Sequence, residues 1–138
     1  MTHAAEEMQA ALVAQLRADA GLSGLLGEGR VEDGARRAAA YPNVAIGDWS
    51  ARAIAGDDWP GEEHRLEFLV FSRAGGRKET LALLARLADL IDGAAITLAG
   101  HRLVTLARTS QTVTRTRDGR TWRGTLVYRA VTEPEGIA

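Results

Sequence analysis

Four arginines, Arg115, Arg117, Arg120 and Arg123, surround a single Asp118-Gly119 pair in TRTRDGRTWRG, residues 114–124. Guanidinium groups stay charged at any physiological pH and suit carboxylates and phosphates, so the chemistry on offer is anion binding. Asp-Gly between two alternating runs predicts a two-residue type I′ hairpin turn, which needs positive φ at both central positions. That register sets Arg117 opposite Arg120, Thr116 opposite Thr121, Arg115 opposite Trp122, Thr114 opposite Arg123, Val113 opposite Gly124 and Thr112 opposite Thr125. A longer turn with a bulge would shift these pairs. One face then carries Arg117, Arg120, Arg115 and Trp122 at the tip, with Val113, Leu126, Tyr128 and Ala130 toward the base. The other is a threonine ladder broken by Arg123 and Arg129. Arg115 stacked on Trp122 is worth about 0.5–1 kcal/mol when exposed. Arg117 facing Arg120 opposes pairing by about a few tenths to 1 kcal/mol. Water can solvate such a tip, or a partner's carboxylates or phosphates can reverse the sign of the effect.

No other constellation suggests a reaction. His3, His64 and His101 lie far apart with no ligand spacing among them. The acid pairs Asp57-Asp58 and Glu62-Glu63 read as a solvated loop, with a bound cation the less favoured reading. No G-x-S-x-G, H-E-x-x-H or P-loop occurs; GGRKET lacks the glycine spacing that cradles phosphate, and GEGRVEDG has no strand before it. There is no cysteine, hence no disulfide, thiolate nucleophile or Cys-ligated metal. The expected chain is therefore not an enzyme, with no catalytic, cofactor-binding or metal residues. Its candidate interface residues are Arg115, Arg117, Arg120, Trp122 and Arg123 of the hairpin, together with Trp49, Trp59, Leu83, Leu87 and Leu90.

The elements that must position these residues come from the periodicity. Met8, Leu12, Leu16 and Ala20 recur every fourth residue and predict an amphipathic helix from Ala4 to Ala20, closed by Gly21. A short helical turn follows at Leu22 to Leu26, then a brief extended piece at Arg30 to Glu32. Pro42 introduces a strand with Val44 and Ile46 on one side and Trp49 near its end. ARAIAGDDWPGEEH, residues 51–64, reads as a long exposed loop. RLEFLVFSR is the strongest strand, with both faces at least partly covered. A second helix spans about Lys78 to Ile91 and carries two stripes, Leu81, Leu84, Ala88 and Ile91 against Leu83, Leu87 and Leu90. Either this helix lies between the sheet and the first helix, or its second stripe meets another subunit. A short ribbon at Gly100 and the long hairpin complete one domain, 1–138, with 132–138 a flexible tail.

Hydrophobic residues at 46% and charged residues at 25% fit a folded soluble domain. No apolar run approaches the length that spans a bilayer, and the glutamates of the first residues oppose a secretory signal. A cytoplasm-like compartment is expected. The net charge of -1 conceals an asymmetry: residues 1–67 hold 12 acids and 6 bases, whereas residues 68–138 hold 6 acids and 11 bases. Folding either interleaves these halves or leaves complementary patches able to hold copies or unlike neighbours together.

The order of the segments LLGEGRVEDGARRAAAYPNVAIGD, LEFLVFSRAGGRKETLALLARLADLID, LAGHRLVTL and TRDGRTWRGTLVYRAV resembles the tail-completion or tail-terminator family of long-tailed phages and gene transfer agents, and is most similar to the gene transfer agent branch. The resemblance spans about residues 5 to 132, and no piece of it is a catalytic motif. It implies an α+β subunit with a mostly antiparallel sheet of about four strands and a long C-terminal hairpin, flanked by two helices. It implies further a homo-hexameric ring at the tail-neck junction of a phage-like particle, assembled in the bacterial cytoplasm. Its partners would be the tail tube protein and a neck or head-completion adaptor, with DNA passing through the channel without specific binding, no membrane and no cofactor. Two rivals remain, a neck or stopper adaptor and a free nucleic-acid-binding module. A pI of about 6.3 and a single lysine weigh against the latter.

Overall fold

Strict alternation in the central strand organises the molecule. The computed structural model describes residues 3–26, 31–32, 40–54 and 58–135. In β3, Glu62–Ser72, the side chains of His64, Leu66, Phe68, Val70 and Ser72 are buried on one face. Glu67, Leu69 and Phe71 on the other are half-buried, so both faces are covered to the degree expected. β2, Asn43–Ala53, and β5, Trp122–Pro134, pair with β3 on either side, both antiparallel. β4, His101–Arg115, pairs with β5 and forms one edge. The two-residue β1, Val31–Glu32, adds in parallel to the other side of β2, giving the order β1-β2-β3-β5-β4. The α+β class with four long antiparallel strands and a C-terminal hairpin is therefore as expected.

Three helices accompany the sheet: α1 at Ala4–Ala18, the seven-residue α2 at Ala20–Leu26 in place of the expected turn, and α3 at Lys78–Ile91. Asp19 divides the first two. Its carboxylate accepts the Leu22 amide at 2.7 Å and two bonds from Arg86 of α3 at 2.9 and 2.6 Å, so the first helix stops two residues short of Ala20. The Arg86 guanidinium, with the Leu22 amide, holds the Asp19 carboxyl below its usual range.

Helix α3 lies between the sheet and the other helices. Leu83 and Leu87 are 0% exposed and join Leu84, Ile91, Met8, Leu12, Leu16, Phe68 and Tyr128 in one core. Leu83 and Leu87 of the spare stripe are thus taken up inside the subunit. Leu90 is half-buried at its edge, and its carbonyl accepts the Gln15 amide at 2.8 Å. Close contact with β5 depends on Gly124, where a Cβ would stand 2.8 Å from both Leu84 Cδ1 and Thr80 Cγ2. Phe68 and Tyr128 meet edge to face at 5.8 Å, and the Tyr128 hydroxyl donates to Asp92 at the end of α3.

Two expectations are corrected. The two ends of the stretch 51–64 are strand, not loop: Ala51 pairs with His64, Arg52 with Glu63 and Ala53 with Glu62. Its acidic and small residues masked the pattern, but cross-strand bonds from Arg52 to Glu63 and from Trp49 to His64 stabilise the pairing. Residues 132–134, expected in the tail, instead pair as part of β5. Gly27–Arg30, Asp57 of the first acid pair and residues 136–138 fall outside the described residues.

Introducing Gly124→Val should cost about 1–3 kcal/mol in denaturant unfolding, because buried Leu84 has little room to give. Thr80→Val, by contrast, should be neutral or stabilising, since Thr80 Oγ1 is buried with no hydrogen-bond partner. Burial also pushes the His64 imidazole below its ordinary pKa of 6.5. His64 Nδ1 accepts from Trp49 at 3.2 Å, so Nε2 carries the proton toward Thr132 Oγ1 at 2.9 Å and the ring is neutral. The unfolded chain then binds more protons as pH falls through and below 6.5, and stability is lost there. Melting between pH 7 and 5 should show a steeper fall for wild type than for His64→Gln.

Candidate functional site

The hairpin tip is built by one carboxylate. Gly119 N donates to Thr116 O at 3.0 Å, and Thr116 N donates to Thr121 O at 2.8 Å, closing a four-residue loop, 117–120. Gly119 has φ of +71°, and no non-glycine residue among those described has positive φ. The expected type I′ turn is therefore replaced by a type I turn with Gly119 in the left-handed region, and Arg117 does not pair with Arg120 in the ladder. The cause is the Asp118 side chain. Its Oδ1 accepts the Thr116 hydroxyl at 2.7 Å and the amides of Arg120 and Thr121 at 2.8 and 2.9 Å, while Oδ2 accepts the Thr121 hydroxyl at 2.8 Å. Donated first by Thr116 and then by the two amides and Thr121, these bonds hold the carboxyl far below the usual carboxylate range. Below the turn the expected register stands, with Arg115 opposite Trp122, Thr114 opposite Arg123, Val113 opposite Gly124 and Thr112 opposite Thr125.

Trp122 is 6% exposed because guanidinium groups cover it. Arg115 lies 4.8 Å from the ring centroid, as its position opposite predicts, and Arg77 lies 4.5 Å away. Arg73 sits 4.1 Å over the Tyr41 ring, and its Nε donates to Thr121 Oγ1 at 3.0 Å. Sequence reasoning missed Arg73, Arg77 and Tyr41, because only the pairing of β3 with β5 brings Ser72 level with Trp122. One end of the sheet thus gathers seven bases, Arg73, Arg77, Lys78, Arg115, Arg117, Arg120 and Arg123, around two acids, Asp118 and Glu79. Both acids are engaged locally, Asp118 by its turn and Glu79 by the Ser72 hydroxyl at 2.7 Å. Among the described residues, Asp118 lies 3.6 Å from Arg73, and no carboxylate lies within ion-pair distance of Arg77, Arg115, Arg117, Arg120 or Arg123.

The other candidate residues lie elsewhere. Trp49 is half-buried beside His64, and Trp59 packs over Gly61 with its indole donating to Glu133 at the opposite end of the strands. Leu83, Leu87 and Leu90 belong to the α3 packing. No group of three or more His, Cys, Asp or Glu among the described residues could hold a metal.

The profile of the tail completion protein gp17 family matches residues 10–133. A chain from the virion of a native gene transfer agent particle is 30% identical, superimposes with a TM-score of 0.86, and is matched over 96% of this chain and 99% of that one. The gp17 protein of bacteriophage SPP1 is 20% identical with a TM-score of 0.62, over 98% of this chain and 94% of that one, a likeness of fold alone. Among curated proteins, none matches the chain.

Replacing Asp118 with Asn should speed hydrogen exchange at the Thr121 amide while leaving the core amides protected. In wild type the Asp118 carboxyl carbon should not titrate near the ordinary pKa of about 3.9. An ordinary titration there would remove the turn's carboxylate from its assigned role.

Proposed function

The chain belongs to the tail completion protein gp17 family, and on that premise we propose that it is the tail terminator of a phage-like particle. Copies form a ring that caps the finished tail tube and joins it to the neck, leaving a channel through which DNA passes without specific binding. The observation that carries this reading is the likeness, over nearly the whole of both chains, to a component of a gene transfer agent virion. The fold fits a building block, since its polar clusters are engaged in hydrogen bonds and ion pairs that hold strands and helices together.

In this reading the arginine end docks on protein. Duplex DNA carries about one negative charge per 1.7 Å of axis, so a few phosphate contacts already give tight, salt-dependent binding. A ring of arginine tips turned into the channel would hold the DNA that has to slide. Turned onto carboxylates, the same tips lose their mutual repulsion and fix the docking geometry through forked hydrogen bonds.

The experiment is Arg117→Glu together with Arg120→Glu in the intact particle system. Neither side chain makes a hydrogen bond within the described residues, so circular dichroism and melting should match wild type. Electron microscopy should show heads and tails unjoined. Normally joined particles would remove the docking role from the tip.

A further inference from the structure

The charge asymmetry of the sequence becomes a separation in space. The strands place the arginine end at one extremity and a second charged surface at the other, about 35 Å away over the 11 residues of β3. Contacts define that second surface. His3 Nε2 lies 3.9 Å from Glu62, Glu7 accepts the Gly100 amide at 2.8 Å, Glu135 N donates to Gly100 O at 3.1 Å, and Trp59 donates to Glu133. It holds eight carboxylates, Glu6, Glu7, Asp58, Glu62, Glu63, Glu67, Glu133 and Glu135, against four guanidinium groups, Arg52, Arg65, Arg102 and Arg129, with His101 beside Glu7 at 3.0 Å. The guanidinium groups are consumed internally, Arg52 and Arg129 by Glu63, Arg65 by Glu67 and Arg102 by Glu133. Glu6, Asp58 and Glu135 are exposed and have no basic partner among the described residues.

We propose that the arginine end of one copy docks against this acidic end of the next copy. The inference rests on the tail-terminator reading and names the protein that the tip meets. The two ends carry opposite surpluses of similar size on a chain whose net charge is only -1, so one sequence supplies both halves of the contact. Each is the complement the other lacks: unpaired Arg117, Arg120 and Arg123 against unpaired Glu6, Asp58 and Glu135. The contact is heterologous, using two different patches of the same chain, and such contacts build rings when the rotation closes. An isologous pairing of like ends would bring arginines against arginines.

The test uses the purified full-length chain, weighed by light scattering and native mass spectrometry. Masses are compared at about 50 mM and about 500 mM salt, between which the reach of surface charge falls about threefold. Wild type should assemble at low salt and dissociate at high salt. Arg117→Glu, Arg120→Glu, Arg123→Glu combined should be folded and single, and so should Glu6→Lys, Asp58→Lys, Glu135→Lys combined. An equimolar mixture of the two should associate again, because each now carries the end the other has lost. The proposal is overturned if wild type stays single or its mass ignores salt, if either variant assembles like wild type, or if the mixture of folded variants stays single. A single wild-type chain would leave the tail role intact, since that role rests on the likeness to a virion component and not on self-association in solution.

Discussion

Helix α3 has to lie directly on the backbone of β5, and most of the molecule follows from that contact. At Gly124 there is no side chain, so Thr80 and Leu84 reach the strand itself. The same approach sets Leu83, Leu87 and Ile91 into the core and carries the start of α3 to the beginning of β5. Arg77, the residue before the helix, therefore comes over Trp122, two positions from Gly124. Close packing inside the subunit and the crowding of arginines at its end are consequences of one missing Cβ.

The crowding persists because two acids face seven bases. Asp118 lies 3.6 Å from Arg73 while its oxygens accept four hydrogen bonds from its own turn. Those bonds fix it there and leave the other arginines of this end without a carboxylate among the described residues. Glu79 is likewise bound to Ser72. Trp122 and Tyr41 offer ring faces to Arg115, Arg77 and Arg73, which orders the guanidinium groups without cancelling their charge. At the far end the situation is inverted, since the available arginines are spent on Glu63, Glu67 and Glu133 and Glu6, Asp58 and Glu135 stay exposed. Antiparallel strands of 11 to 15 residues keep the two surpluses apart. Such a charge pattern suits a subunit whose neighbours complete it, in keeping with membership of a tail completion family.

Where reading from the sequence stopped short, the causes are specific. Asp-Gly signals a hairpin whichever turn is formed, so the strand register below it is legible while the turn type is not. The turn type depended on how the Asp118 carboxylate competes for nearby amides and hydroxyls, a choice the dipeptide does not encode. Residues 51–53 and 62–64 resemble loop because alanine, aspartate and glycine around them dilute the alternation, whereas the pairing there is held by His64 and Glu63 bonding across strands.

By itself the sequence determined the class, the central strand and the two longer helices, the hairpin register below the turn and the likeness to tail terminators, because those reside in periodicity and order along the chain. It also carried the charge imbalance between its halves. Only the tertiary structure decided that Leu83 and Leu87 of the spare stripe are internal, that Trp49 and Trp59 sit away from the tip, and that Arg73 and Arg77 join it. The reason is physical: these outcomes depend on distances between residues far apart in sequence, which strand pairing and helix packing set together.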